Sequence, residues 1–260
     1  MYKGNLVRCE MNDNIAILTI DNPPMNPLCQ EVMSDIRNCI NMLEESDDVR
    51  CLIITGGGDK AFVAGADIKE FPNWTPDICE DLTRKGQAVF CMVENFKAPV
   101  IAAINGFALG GGLELALCCD IRLASEKARM GLPEATLGII PGYGGTQRLC
   151  KTINVGDAKK MMFTGEMIRA DKALQLGLVQ DVYAPEELMD KAIELAKKIA
   201  ENGPLAVSEI KKCANYERGR WINQGLTTEL ASGRFVFTTD DHTEGINAFI
   251  EKREATFTNK

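Results

Sequence analysis

The sequence predicts an α/β protein with a helical C-terminal part, and three features of the chain carry that prediction. Short apolar runs bounded by turn residues occur at 15–20, 51–55 and 99–104, as is typical of buried strands. Between these runs, residues 28–45 and 77–96 place apolar side chains at helical spacing. Strand patterns then become rare in the second half of the chain. Strands that alternate with helices indicate an α/β fold.

The remaining elements continue this order along the chain. Residues 113–119 are predicted to form a helix, and residues 121–124 a short strand. Further helices are predicted at 188–200, 205–217, 221–235 and 243–255. We therefore expect a core formed by residues 1–200 and a helical C-terminal region formed by residues 201–260. The apolar stripes of that region suit packing or contacts between subunits.

The charge of the chain argues against one class of partner. Lys and Arg total 29 against 37 Asp and Glu, which gives a formal net charge of -8. Proteins that bind nucleic acids in general carry the opposite balance, so no nucleic-acid partner is expected. An anionic ligand would have to be held by a few local donors.

Histidine and cysteine usage restricts the possible chemistry further. The single histidine, His242, lies in the polar run 240–244, where we expect a solvated surface residue. One histidine excludes multi-histidine metal sites, and the ten cysteines form no Cys-x-x-Cys pair, so no metal site is predicted. Dispersed cysteines, and an N-terminus without the apolar core of a signal peptide, favour a cytoplasmic protein.

The glycine-rich segment 105–114 is the most informative part of the sequence. Charges are sparse around it, but Pro99 and the glycines interrupt the apolar run, so no membrane span is expected. A predicted strand here turns into a helix start, where free N–H groups can hold a phosphate or an oxyanion. The phosphate-loop and dinucleotide spacings fail, and Gly-x-Ser-x-Gly is absent. An oxyanion site and a close-packing turn both remain open.

Two glutamates are candidates for acid–base chemistry. Glu114 lies in an otherwise apolar predicted helix, where its carboxyl must be paired or have a raised pKa. It is either part of a structural ion pair or a general acid or base. Glu134 follows Pro133 and reads by itself as a helix-start residue, but the apolar, glycine-rich segment 137–145 comes directly afterwards. Such a neighbour suggests a pocket, although the spacing does not place the two carboxyls together.

A second candidate turn follows the predicted strand at 51–55. Residues 62–69 place small side chains before a polar helix start, which fits another site of backbone N–H donors. The ammonium group of Lys69 either binds a phosphate group of a ligand or is simply exposed to solvent.

Six segments, taken together and in this order, resemble the crotonase family of enoyl-CoA hydratases and isomerases, and they extend over nearly the whole chain. They are Phe62–Glu70, Pro99–Gly106, Ala108–Glu114, Pro133–Glu134, Gly138–Leu149 and Ala248–Arg253. The resemblance implies a spiral of ββα units as the catalytic core. It also implies a helical C-terminal trimerisation region, in a homo-trimer or homo-hexamer.

The resemblance also implies the site and the reaction. The backbone N–H groups of Ala66 and Gly111 correspond to an oxyanion hole for a thioester carbonyl. Glu114 and Glu134 correspond to the two glutamates of the hydratases, and the presence of both favours reversible hydration of a short-chain trans-2-enoyl-CoA. Glu114 would act as the base that activates water, and Glu134 as the acid. No metal or redox cofactor is implied, because coenzyme A is part of the substrate.

Contacts with coenzyme A are implied for further positions. They are Ala64, Ala66, Asp67, Ile68, Lys69, Gly111, Gly142, Phe249 and Lys252, with Lys69 near the phosphates and Phe249 and Lys252 reaching the coenzyme A of a neighbouring subunit. Other acyl-CoA chemistries remain open: double-bond isomerisation, decarboxylation, thioester hydrolysis and hydration of a cyclic dienoyl-CoA. A scaffold that binds acyl-CoA or RNA without catalysis is a further alternative, which the two glutamates and the acidic charge disfavour.

Overall fold

The computed structural model describes residues 1–258, apart from the side chains of Lys69 and of residues 216–221. Its strands form one sheet of seven and one of four. They are β1 (Tyr2–Lys3), β2 (Val7–Asn12), β3 (Ile15–Ile20), β4 (Cys51–Gly56), β5 (Ala61–Ala64), β6 (Val100–Ile104), β7 (Phe107–Leu109), β8 (Ile121–Ser125), β9 (Arg129–Gly131), β10 (Ile168–Arg169) and β11 (Asp181–Tyr183).

The helices cover both sheets and form the C-terminal part. They are α1 (Gln30–Glu44), α2 (Pro76–Glu94), α3 (Gly111–Cys118), α4 (Gly145–Thr152), α5 (Val155–Thr164), α6 (Ala170–Gln175), α7 (Leu188–Ala200), α8 (Pro204–Val236) and α9 (Asp240–Glu251). There are also two short 3-10 helices. Ile68–Asn73 lies between β5 and α2, and Glu134–Leu137 lies between β9 and α4.

Successive strands are shared between the two sheets. The larger sheet has the order β1-β2-β3-β4-β6-β8-β11 and the smaller one β10-β9-β7-β5. From β4 to β9, consecutive strands therefore lie in alternate sheets. Helix α2 follows the pair β4 and β5, and helix α3 follows the pair β6 and β7. Strands β3, β4, β6, β8 and β11 run parallel, with Ile53 opposite Ile101 and Ile101 opposite Ile121. This is the predicted spiral of ββα units.

The central strands β3, β4, β6 and β8 of the larger sheet are buried on both faces, which explains their apolar runs. All six residues of β4 are buried. One face packs with α1, α2 and α3 in the main hydrophobic core, and the other packs against Leu188, Ala192 and Ala196 of α7. The apolar runs at 15–20, 51–55 and 99–104 therefore correspond to central strands.

Some predicted boundaries were wrong. The helices expected at 205–217 and 221–235 are one continuous helix, α8. A glycine inside a helix costs only about 1 kcal/mol relative to alanine, so the intervening Gly219 does not have to end it. The helix expected at 243–255 is α9, which starts earlier, with Thr239 capping the N–H of His242, and ends at Glu251. The sequence pattern did not predict α4, α5 and α6.

Helix α3 is held against the smaller sheet at close range. A Cβ atom on Gly112 would lie 1.9 Å from the backbone oxygen of Val63 in β5, so only glycine allows this approach. The contact brings the first turn of α3 beside the end of β5. The two glycine-rich turns of the sequence consequently meet at one place.

Candidate active site

Glu114 projects from the first turn of α3 and is buried. Its Oε1 atom accepts hydrogen bonds from the N–H groups of Tyr143 at 2.8 Å and Gly145 at 2.7 Å. These donors lie where the glycine-rich turn leads into α4, whose first residue is Gly145. The side chain that looked isolated in an apolar helix is therefore held by backbone amides of a distant segment.

Glu134 begins the 3-10 helix that follows β9, and it is also buried. Its Oε2 atom is buried and has no hydrogen-bond partner within the protein. Its Oε1 atom lies 2.9 Å from where a Cβ atom on Gly110 would stand, so the carboxyl is next to the start of α3. An unpartnered buried carboxyl oxygen is costly unless the group is protonated or meets a ligand.

Burial dominates the ionisation of both carboxyls. It raises the pKa of Glu134 to about 8, and the nearby charge of Glu229 adds to the effect. Burial also raises the pKa of Glu114 well above its usual range, with further contributions from the charges of Glu134 and Glu229. The two amide hydrogen bonds to Glu114 act in the opposite direction, because they favour its ionised form. The site thus holds one carboxyl that accepts two backbone N–H groups of a distant segment and one whose Oε2 atom has no partner within the protein.

Two peptide N–H groups are placed near these carboxyls. Gly111 is the first residue of α3, and the N–H groups of a helix's first turn have no intrahelical acceptor. Ala66 pairs with Leu28 across a short bridge, in which Leu28 donates to the oxygen of Gly65 at 2.8 Å. Since a trans peptide points its C=O and N–H in opposite directions, the N–H of Ala66 points away from Leu28.

The two carboxyls and the two peptide donors line one cavity of about 280 Å³. Its other walls are largely apolar and include the aromatic side chains of Phe71, Trp74, Tyr143, Phe237 and Phe249. A second cavity, of about 260 Å³, adjoins it and shares the lining residues Ala66, Phe71, Trp74 and Tyr143. Together they form a cleft that carries the two carboxyls among largely apolar walls, which suits a long ligand with a small reacting group.

Most of the positions implied for coenzyme A lie along this cleft. Six of them line the cavity that holds the two carboxyls, namely Ala64, Ala66, Ile68, Gly111, Gly142 and Phe249. Asp67 lines the adjoining cavity. Lys252 ends α9 at the surface, and the side chain of Lys69 lies outside the described residues.

Sequence reasoning missed three features of the site. Glu229 of α8 is buried beside the turn before α4, and Tyr143 stands between the two cavities. Phe71, Trp74 and Phe237 contact one another as an aromatic wall. A signal for Glu229 existed, because it shares the buried stripe of Ile222, Leu226 and Leu230 on α8. The aromatic residues gave no comparable signal, since aromatic side chains are common in any core.

The expectation for His242 was wrong. The side chain is buried, its ring centroid lies 4.0 Å from that of Phe237, and its Nε2 atom has no hydrogen-bond partner. Burial lowers the pKa of His242. The polar run 240–244 forms the first turn of α9, and a helical turn directs one residue inward even when its neighbours are polar.

The described part of the chain contains neither a membrane-spanning helix nor a metal-binding cluster. Among residues 1–258, no helix is long and apolar enough to cross a membrane. In the same part of the chain, no group of three or more His, Cys, Asp or Glu side chains is arranged to hold a metal ion.

Comparison with known proteins places this fold and site in one family. The model of the enoyl-CoA hydratase/isomerase family matches residues 10–260. The chain is 42% identical over 252 residues to a crotonyl-CoA hydratase of Syntrophomonas wolfei, covering 96% of this chain and 97% of the relative. It is 43% identical over 251 residues to a short-chain-enoyl-CoA hydratase of Clostridium acetobutylicum, covering 96% of each chain.

A solved structure agrees with these relatives. An enoyl-CoA hydratase from Bacillus anthracis superposes with a TM-score of 0.79 at 37% identity, covering 98% of this chain and 100% of the other. The chain belongs to the enoyl-CoA hydratase/isomerase family.

Proposed function

We propose that this protein catalyses the reversible syn hydration of a short-chain trans-2-enoyl-CoA to a 3-hydroxyacyl-CoA. The observation that carries the proposal is the pair of buried carboxyls, Glu114 and Glu134, facing one cavity beside two peptide N–H groups. The names of the two similar bacterial hydratases support a hydro-lyase that acts on a short acyl chain.

The roles follow from what surrounds each carboxyl. Glu114 accepts two backbone hydrogen bonds, which favour its carboxylate form and suit a base that removes a proton from water as the oxygen adds to C3. Burial raises the pKa of Glu134 to about 8, so at neutral pH this carboxyl holds a proton that it can deliver to C2. The hydroxyl at C3 comes from water and the hydrogen at C2 comes from Glu134, so the addition leaves Glu114 protonated and Glu134 ionised. Passage of one proton from Glu114 to Glu134, directly or through solvent, restores both carboxyls and makes the net addition one water.

The N–H groups of Ala66 and Gly111 would bind the thioester oxygen. That oxygen gains negative charge while C3 is attacked, because the double bond is conjugated with the carbonyl. Donors already aimed at it lower the barrier, and one such donor is worth about 10²–10³ in rate. The dipole of α3 adds to this effect, since its positive end lies at Gly111.

Coenzyme A would lie along the backbone of Ala64, Ala66 and Ile68, with Lys69 near its phosphates. Its other predicted contacts include Asp67, Gly142, Phe249 and Lys252. We propose that coenzyme A enters as part of the substrate and that no metal or redox cofactor takes part. The carboxyls and peptide donors would supply the proton transfers and the charge stabilisation that hydration needs.

The assembly is proposed to be a homo-trimer or homo-hexamer in the cytoplasm, with residues 201–260 in the contacts between subunits and no nucleic-acid or membrane partner. Exposed apolar side chains on α8 support such contacts, among them Leu205, Ile210 and Phe235. In this arrangement Lys252 would reach the coenzyme A of a neighbouring subunit, whereas Phe249, for which the same contact was expected, lines the cavity of its own chain.

The test is the reaction of crotonyl-CoA in deuterated water, followed by NMR. Hydration predicts 3-hydroxybutyryl-CoA with one deuterium at C2, on the same face as the added hydroxyl. A moved double bond would identify an isomerase, free coenzyme A a thioesterase, and loss of carbon dioxide from a malonyl-type thioester a decarboxylase. Any of these without hydration would overturn the proposal.

A further inference from the structure

A turn at the edge of the cavity is held from two sides by buried glutamates. From α3, Glu114 Oε1 accepts the N–H groups of Tyr143 and Gly145, at 2.8 and 2.7 Å. From α8, Glu229 Oε2 accepts the N–H of Gly144 at 2.8 Å, and Glu229 Oε1 accepts the hydroxyl of Thr146. Successive N–H groups therefore go alternately to the two carboxyls, and moving either carboxyl must move the turn.

Further contacts hold the carbonyl side of the same turn. Arg148 is fully buried, donates from Nη1 to the oxygen of Tyr143 at 2.9 Å, and pairs with Glu94 of α2 at 2.8 Å. Gln87 Nε2 donates to the oxygen of Gly142 at 2.9 Å. These contacts fix carbonyl oxygens, whereas Glu229 fixes the N–H of Gly144, which lies between the two N–H groups that reach Glu114.

We infer that Glu229 is a positioning residue, which keeps the N–H groups of Tyr143 and Gly145 aimed at Glu114. The inference rests on the proposed function, in which ionised Glu114 acts as the base. Hydrogen bonds from those N–H groups favour the ionised form, and burial disfavours it. If the turn shifts, Glu114 loses the donors that offset its burial, and a smaller fraction of it is ionised at neutral pH.

The effect of Glu229 on the pH dependence of turnover also depends on the charged groups around it. The charges of Glu134 and Glu229 raise the pKa of Glu114, the charge of Glu229 adds to the rise at Glu134, and burial raises the pKa of Glu229 itself to about 7. Arg148 acts in the opposite direction on Glu229, and it is itself paired with Glu94. Removing the charge of Glu229 lowers the pKa of Glu114. Removing its hydrogen bond to Gly144 raises that pKa, because the N–H groups of Tyr143 and Gly145 then no longer point at Glu114. A useful experiment must separate these two effects.

Two substitutions separate them. Glu229→Ala and Glu229→Gln both remove the charge. The Gln side chain, however, keeps a carbonyl oxygen that can accept the N–H of Gly144, and its NH2 group can donate a hydrogen bond to the hydroxyl oxygen of Thr146. We expect kcat for crotonyl-CoA at pH 7 to be about 10-fold to 100-fold lower in Glu229→Ala than in Glu229→Gln, since displacing a catalytic group by about 1 Å can cost about 100-fold. KM should differ little, and the acidic limb of the kcat profile should lie at higher pH in the Ala variant.

Leu230→Ala is the matched control, because Leu230 is the next residue of α8 and is buried, but it does not bond to the turn. It should lower the melting temperature with a pH profile like that of the wild type. If Glu229→Ala does not fold, Thr146→Val and Thr146→Ser give the same comparison, with the hydroxyl removed or kept, and only Thr146→Val should slow turnover.

A carbon-13 titration of glutamate carboxyls in the free protein tests the inference without substrate. The pKa of Glu114 should be higher in Glu229→Ala than in Glu229→Gln. Equal pKa values and equal kcat profiles in the two variants would overturn the positioning role. Absence of hydration by the wild type would overturn the proposed function instead, and the titration would still decide whether Glu229 holds the turn.

Discussion

The oxyanion role of Gly111 can be tested with proline, which replaces the N–H group by a ring carbon that cannot donate a hydrogen bond. Gly111 is the first residue of α3, a position where proline is well tolerated. Gly110 has φ 51° and ψ -126°, outside the helical region that a following proline disfavours. Gly111→Pro should therefore keep the helix and lose the donor.

The structure also supplies the control for this change. A Cβ atom at position 111 would lie 2.9 Å from Leu28 Cδ1 and 3.5 Å from Tyr143 Cδ2. Gly111→Ala adds that atom and keeps the N–H, so it measures the steric cost, which should be modest because Leu28 meets it with the tip of a flexible side chain. The Pro variant should then fall below the Ala variant in kcat by about 10²–10³, or about 3 to 4 kcal/mol in the barrier.

The assay is the initial rate of crotonyl-CoA loss at saturating substrate, with melting temperatures to show that both variants fold. We expect kcat of the Pro variant to be lower than that of the Ala variant by about 100-fold or more. A kcat within about threefold of the Ala variant would refute the role of this N–H group.

Three other predictions concern the cavity and its surroundings. Because burial raises the pKa of Glu134 to about 8, ionising it opposes folding, so wild-type stability should fall as pH rises from about 4.5 to 8. The melting temperature of Glu134→Gln should then exceed that of the wild type at pH 9 but not near pH 4.5. The control Glu186→Gln, at an exposed position, should show no such trend. A difference in melting temperature between Glu134→Gln and the wild type that is the same at both pH values would contradict the raised pKa. Gly112→Ala should lower the melting temperature by about 5 °C or more, since its Cβ would lie 1.9 Å from the oxygen of Val63, and an unchanged melting curve would contradict the close approach of α3. Lys252→Ala should raise KM by up to about fivefold at unchanged kcat, as expected for an exposed charge, and an effect confined to kcat would count against a role in binding.

The parts of the fold with strong local patterns could be predicted from the sequence. The central strands β3, β4 and β6 are continuous apolar runs because both faces of their sheet are buried, and α3 begins where the glycine-rich turn ends. Helices α4 to α6 are short, so their periodic patterns are weak, and α8 was predicted as two helices although it continues through Gly219.

The site was predictable only in its separate pieces. Glu114 and Glu134 were candidates because each carboxyl lies beside apolar or glycine-rich residues, but local patterns carry no information on how β5, α3 and the 3-10 helix after β9 meet. The resemblance to the crotonase family is what predicts that the two residues act together. His242 was placed wrongly because the polarity of neighbouring residues does not fix which way one helical residue faces.

The central claim is that Glu114 and Glu134 together hydrate an enoyl thioester. It is tested most directly by the loss of crotonyl-CoA absorbance with the wild type, Glu114→Gln and Glu134→Gln, alongside the affinity of each protein for coenzyme A. We expect rapid loss with the wild type and a rate lower by about 100-fold or more in each variant, with little change in affinity. Wild-type turnover in either variant would remove that glutamate from the mechanism and contradict the account.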